Sequence, residues 1–240
     1  MNTTNALLIS SSMVHGRSYL DHVEPAIREI LTGRHRVLFF PFALHDRHAY
    51  AAKAKLRFAS LGITLDSIYA VPPSDRQRAI EQAEAFFVGG GNTFRLLYSL
   101  YENALMPVLR ARILSGVPYI GSSAGAIIAG PTIKTTKDMP ILQPPSFTAL
   151  GIFPYQISPH YQDPDPTSTH MGETQEERIV QFLEENETPV IGLREGSWIR
   201  QKDGAAKLGG ELTCRIFRRG IPATEVPPQT ELEALLGAAA

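Results

Sequence analysis

The chain has little from which to build covalent or metallic staples. One cysteine, Cys214, occurs among 240 residues. This excludes an internal disulfide and a cysteine-rich zinc site, and it suits a reducing cytoplasm. Charge of one sign is also scarce. The formal net charge is −1 and no block of five like charges occurs, so there is no basic footprint for nucleic acid. Long apolar runs are missing. The segment Met1–Ser10 has no basic stretch, and its apolar core, Ala6–Ile9, is too short for a signal peptide or a membrane span. Repeats, low-complexity segments and an interdomain linker are absent as well. The expectation is a cytoplasmic protein with no nucleic-acid or membrane partner. One domain spans 1–240, and residues 222–240 form a loosely held tail. The oligomeric state is left open, a homodimer being compatible with the sequence.

What the chain does have is an ordinary apolar share, 43%, arranged as short runs between helical patterns. Ala6–Ile9, Val37–Phe40, Ile68–Val71, Ala85–Val88, Val117–Ile120 and Val190–Leu193 read as buried strands. Helices are expected over Tyr19–Leu31, Arg47–Leu61, Asp75–Ala83 behind a Ser74 cap, Thr93–Tyr101, Leu105–Ser115 and, capped by Thr174, Gln175–Glu187. Strands alternating with helices predict an α/β fold: a mainly parallel, doubly wound sheet with helices on both faces. A C-terminal β-hairpin is expected over Ser197–Leu208, turning at Gln201–Gly204, followed by a strand at Thr213–Phe217. Between Lys134 and Thr169, seven prolines predict a rigid, irregular excursion.

The richest segment is Val117–Ala126, a short apolar strand running into Gly121-Ser-Ser-Ala-Gly125. A G-x-S-x-G between a strand and a helix is the pattern of a nucleophile elbow. Ser123 is then the candidate nucleophile, and the Ala124 N–H points at a developing oxyanion. A serine hydroxyl needs a base, and the base needs an orienting group. His160 follows an apolar run, with Pro159 stiffening the backbone before it; His170 is second. The other five histidines read as surface residues. Glu195 follows Val190–Leu193 at a strand's carboxyl end and is preferred as the orienting acid over Asp138, with Asp163 third. The glycine-rich turn Val88–Thr93 lacks the lysine of a P-loop and the G-x-G-x-x-G of a dinucleotide site. Gly90 or Gly91 is therefore read as the second oxyanion donor rather than part of a phosphate cradle.

Six ordered strings carry a family resemblance: Phe87–Phe94, Tyr119–Ala126, Pro131–Ile141, Phe153–His160, His170–Thr174 and Ile191–Gly196. Across nearly the whole chain the sequence resembles the peptidase E family, the α-aspartyl dipeptidases, serine peptidases grouped with the cyanophycinases. The resemblance implies a fold like the class I glutamine amidotransferases (flavodoxin-like), with serine in place of the elbow cysteine. It implies Ser123 as nucleophile and His160 as base. For the third member it admits either Asp138 or Glu195, and strand-end placement favours Glu195. Two positions depart from the frequent pattern: Ser122 stands where tryptophan is common, and Ile127 where asparagine is common.

The expected activity is serine-type, metal-independent and cofactor-free hydrolysis after an N-terminal aspartate in short peptides. The aspartyl carboxylate needs a cation or several N–H donors, with Lys134, Lys137, His170, Arg178 and Arg194 as candidates. The alternatives are a same-fold hydrolase of broader di- or tripeptide or cyanophycin-like specificity, a non-catalytic small-molecule-binding module, and a nucleotide-binding domain at the triple glycine.

Overall fold

A computed structural model describes residues 4–169 and 171–232. In chain order the elements are β1 (Ala6–Ile9), α1 (Glu24–Ile30), β2 (Arg36–Phe40), α2 (Arg47–Ser60), β3 (Thr64–Ser67), α3 (Arg76–Gln82), β4 (Phe86–Val88), α4 (Thr93–Glu102), α5 (Met106–Leu114), β5 (Tyr119–Ser122), α6 (Ala124–Ile127), β6 (Gln156–Pro159), α7 (Gln175–Glu185), β7 (Val190–Leu193), β8 (Trp198–Lys202), β9 (Ala205–Gly209), β10 (Cys214–Arg218) and β11 (Ile221–Val226).

Seven strands form the main sheet in the order β3-β2-β4-β5-β1-β8-β9. The first five run parallel, and the β8–β9 hairpin closes one edge antiparallel. The hairpin turns at Asp203 and Gly204, both with positive φ, as a two-residue loop between right-twisted strands requires. Alternate side chains of the parallel strands enter two separate cores. Leu8, Leu38, Phe40, Phe86, Val88 and Tyr119 point one way. Leu7, Ile9, Val37, Phe39, Phe87 and Ile120 point the other, against α1 and α2. Apolar residues at every position are what a sheet covered on both faces demands.

A second sheet, β11-β10-β7-β6, packs into the first of these cores through Ile157, Ile191, Leu193 and Ile216. Here Val190–Leu193 departs from expectation: it is a strand, but it pairs with β6 and β10 rather than joining the main sheet. An apolar run specifies burial, not which sheet receives it. The third parallel strand also shifts. It is Thr64–Ser67, and Ile68–Ala70 forms a 3-10 turn in which the Ser67 side chain accepts the Tyr69 N–H. Ser74 caps nothing: Pro73–Asp75 is itself a 3-10 turn, and α3 begins after it without a side-chain cap. Thr174 does cap α7, in a reciprocal capping box with Glu177. The proline-rich excursion, expected to be irregular, contains the strand β6.

The expected loose tail is paired as far as it is described. β11 pairs with β10, Val226 and Leu232 are fully buried, and the Leu232 N–H donates to Ala206. Its apolar residues are sparse, but those two fill the edge of the core. Residues 233–240 lie outside the described residues. Cys214 is buried, and that burial pushes its thiol pKa up to about 12, which keeps it a neutral core side chain. Among the described residues, no helix is long and apolar enough to cross a membrane.

Candidate active site

The parallel strands converge on one rim. Loops after β1, β2, β4 and β5 line a cleft of about 760 Å³ containing Ser11–Met13, Leu44, Gly90, Gly91 and Ser123. Carboxyl-end clefts of this kind are where open α/β sheets bind ligands.

Ser123 sits between β5 and α6 with φ 52° and ψ −111°, a conformation that non-glycine residues rarely adopt. Its surroundings hold it there. Its N–H donates to Ile9 O at 2.9 Å, and beneath the turn the buried Tyr119 hydroxyl donates to Gly125 O at 2.6 Å. Gly125 has no room for a side chain, since a Cβ there would lie 2.2 Å from Val88 O. A Cβ on Gly90 would lie 2.9 Å from Ser123 Cβ, so the glycine turn runs directly beside the serine.

The Ser123 hydroxyl is 2.8 Å from His160 Nε2, and His160 Nδ1 is 2.7 Å from Glu195 Oε1. His160 follows β6 and also has a positive φ, 51°. Glu195 lies two residues beyond β7, in a turn closed by Ser197 N–H donating to Arg194 O. Parallel pairing of β6 with β7 brings these two carboxyl ends together. A carboxylate on one imidazole nitrogen fixes the tautomer that leaves the other free to take a hydroxyl proton. Gly90 and Gly91 donate no backbone hydrogen bond to a main-chain carbonyl among the described residues. The N–H of Ala124 opens α6 and has no acceptor within that helix. Gly90 and Ala124 thus lie beside the serine, and the Gly90 N–H also meets the Tyr50 hydroxyl.

Asp138 is beside the cleft but away from the imidazole. Its Oδ2 accepts from Thr93 N at 2.7 Å, Thr93 Oγ1 at 2.6 Å and Thr136 Oγ1 at 3.1 Å. That leaves it anchoring the start of α4, with Oδ1 free of hydrogen bonds among the described residues. Asp163, the third acid considered, pairs with Arg194 at 2.7 Å.

The five substrate-binding candidates separate. Lys134, Lys137 and Arg178 line a smaller pocket of about 220 Å³ that borders Asp138 and Ser158. Lys137 Nζ donates to His160 O at 3.1 Å. Desolvation lowers its pKa, helped by Arg178 and opposed by Asp138 and Glu195. Arg194 is not available to a substrate: it is held by Asp163 and by Glu225 at 2.6 Å, so that expectation is corrected. Its position just past a strand suggested the rim, but its side chain turns back to tie β7 to β11. His170 lies outside the described residues.

Sequence reasoning missed five residues in or near the site. Ser10 Oγ donates to Leu193 O at 2.7 Å and accepts the His160 N–H at 2.9 Å; the available signal was a small polar residue directly after a fully apolar strand. Tyr50, Lys53 and His45 line the cleft from α2 and the loop before it. His22, read as a surface residue, is 8% exposed beside Trp198. Burial foremost, then Arg17, lowers its pKa. Among the described residues, no group of three or more His, Cys, Asp or Glu is arranged to hold a metal.

Comparison with known proteins matches residues 6–209 to the model of peptidase family S51. The chain is 47% identical over 232 residues to peptidase E of Streptomyces coelicolor, covering 97% of this chain and 95% of that one. It is 41% identical over 235 residues to a Drosophila melanogaster protein named "Probable alpha-aspartyl dipeptidase", covering 97% of each. Its fold is similar to the crystal structure of a peptidase from an acI-B1 Actinobacterium, with a TM-score of 0.68 at 16% identity over 95% of this chain and 96% of that chain.

Proposed function

The chain belongs to peptidase family S51 and is a serine dipeptidase; from that premise we propose that it cleaves after an N-terminal aspartate, using Ser123, His160 and Glu195. The observation that carries the residue assignment is the continuous relay from the strained Ser123 hydroxyl through His160 to Glu195, at 2.8 and 2.7 Å. The aspartate preference is supported by the name of the Drosophila relative and by the small pocket with three cations.

In this reading Ser123 Oγ attacks the peptide carbonyl carbon while His160 Nε2 takes its proton. The oxyanion is bound by the Ala124 N–H and the Gly90–Gly91 turn. His160 then donates the proton to the leaving amine as the C–N bond breaks. Water, deprotonated by the same imidazole, attacks the aspartyl ester and frees the serine. Glu195 keeps Nδ1 protonated throughout and stabilises the imidazolium. Lys137 and Arg178 face the aspartyl carboxylate, and Asp138 Oδ1 receives the substrate's α-ammonium group. An exopeptidase needs both recognitions, because the amine marks the chain end and the side-chain charge marks the residue.

The test is hydrolysis of Asp-Leu, Asn-Leu, isoaspartyl-Leu and Asp-Leu-Gly by the wild-type protein. The reading expects Asp-Leu to exceed Asn-Leu by about 10–100-fold in kcat/KM, since a charged partner left unpaired costs on the order of 1.5–3 kcal/mol. Equal rates on Asp-Leu and Asn-Leu overturn the aspartate assignment. A cytoplasmic location is part of the proposal and is read by fractionating the native host.

A further inference from the structure

Among the described residues, the lysines and arginines that the sequence singled out do not line the larger cleft into which Ser123 opens. One other residue does. Among the described residues lining that cleft, Lys53 is the single lysine or arginine. It is carried on the face of α2 that also presents Asp46, Ala49 and Tyr50 to the cleft, at the i, i+3, i+4, i+7 spacing of one helix stripe. Lys53 Nζ lies 4.6 Å from the centroid of the Tyr19 ring and 3.8 Å from Met13 Sδ, and it forms no ion pair among the described residues. An ammonium group resting on a ring face and a thioether is steered in position while its N–H donors remain open to an anion.

Two regions of unequal size meet at Asp138, which lines both, and Ser123 opens into the larger. The pocket of about 220 Å³ is lined by three cations, of which Lys134 donates to Asn186 at 3.1 Å and Arg178 pairs with Glu173 at 3.6 Å. The cleft of about 760 Å³ has one cation at its α2 wall and space for a leaving residue of any size. We propose that Lys53 binds the C-terminal carboxylate of the leaving residue and so selects dipeptides over longer peptides. In a dipeptide that carboxylate lies one residue past the scissile bond; in a longer chain the same position is a neutral amide, which leaves the lysine unpaired. The inference rests on the exopeptidase reading above and adds what the leaving side of the site recognises.

The experiment compares wild type, Lys53→Met and Lys53→Arg on Asp-Leu and on its C-terminal amide, Asp-Leu-NH₂. Wild type is expected to prefer the free acid by about 10–100-fold in kcat/KM, the range of a hydrogen bond to a charged group. Lys53→Met should lose that preference through a higher KM for Asp-Leu, with the amide turned over as before, and Lys53→Arg should regain part of it. Loss of both substrates alike in Lys53→Met, or no loss of either, overturns the assignment. If wild type cleaves Leu-Leu as well as Asp-Leu, the aspartate reading falls while the Lys53 comparison still stands. If wild type cleaves no dipeptide, the exopeptidase reading falls and takes the inference with it.

Discussion

The buried hydroxyl of Ser10 accepts the backbone N–H of His160 at 2.9 Å and donates to Leu193 O at 2.7 Å. One side chain at the end of β1 thus fixes the proposed base, which follows β6, and the strand that leads to Glu195. Ser10→Ala leaves the His160 N–H without its acceptor and lets the imidazole wander. A drop in kcat of about 10–100-fold with KM nearly unchanged is expected, in keeping with the ~1–3 kcal/mol cost of an orphaned buried donor. Ser10→Thr, which keeps the oxygen, should retain more activity than alanine. Steady-state kinetics beside circular dichroism would decide, and an unchanged kcat in the alanine variant would remove Ser10 from the machinery.

Ser123→Ala should leave the fold intact and reduce kcat by about 10⁴–10⁶, the range for removal of a triad member. Alanine carries the same Cβ, so the strained φ persists and the melting temperature should stay close to that of wild type. Residual Asp-Leu hydrolysis within tenfold of wild type would show that another group attacks.

Glu195→Gln and Asp138→Asn should diverge. The first removes the anion that orients His160 and should lower kcat by about 10²–10⁴. The second weakens the anchor at the start of α4 and the seat for the substrate amine, so its main effect should be on KM. A collapse of kcat confined to the Asp138 variant would reverse the assignment.

The fold's outline was legible because its signals are local. Short apolar runs marked β1, β2, β4 and β5, and G-x-S-x-G between a strand and a helix marked the elbow. The preference for Glu195 over Asp138 rests on a strand's carboxyl end, but that strand lies in the second sheet, and its pairing with β6 is what brings Glu195 beside His160. What was illegible depends on the third dimension. Nothing in Val190–Leu193 says that it pairs with β6 in a second sheet, and Ser10, 150 residues before His160, shows its role only once the two sheets are packed together. Arg194 occupies a rim position by sequence but turns toward Asp163 and Glu225, a choice set by partners 31 residues away in each direction.

The Arg194 cluster should show itself in the pH dependence of stability. The Arg194 hydrogen bond, opposed by some desolvation, holds the Asp163 carboxyl below its usual range. A carboxyl depressed in the folded state stabilises above its unfolded pKa, about 4, and that contribution fades as pH falls through the lower folded value. The melting-temperature gap between wild type and Arg194→Met should therefore be widest above about pH 5 and narrow below about pH 4. A gap that stays constant from pH 7 to pH 3 would deny the cluster any electrostatic part. The gap itself should be small, because Asp163 and Glu225 are about half exposed and solvent screens them.

Gly125→Ala should be among the more damaging conservative substitutions in the chain. Its methyl group would meet Val88 O at 2.2 Å, a main-chain atom of the neighbouring strand. Overpacking of this kind costs about 1–3 kcal/mol. A clear fall in melting temperature, together with reduced activity from a displaced elbow, is the expected pair of outcomes.

The proposed attacking hydroxyl follows a strand of one sheet, while the proposed proton-handling pair follows strands of the other. Neither sheet on its own holds a working catalyst, and the interval between them is set by side-chain packing rather than by a shared ladder of backbone bonds. Heat or mild denaturant that slackens this seam should silence turnover while both ladders are still intact, so inactivation is expected to precede loss of the far-ultraviolet signal.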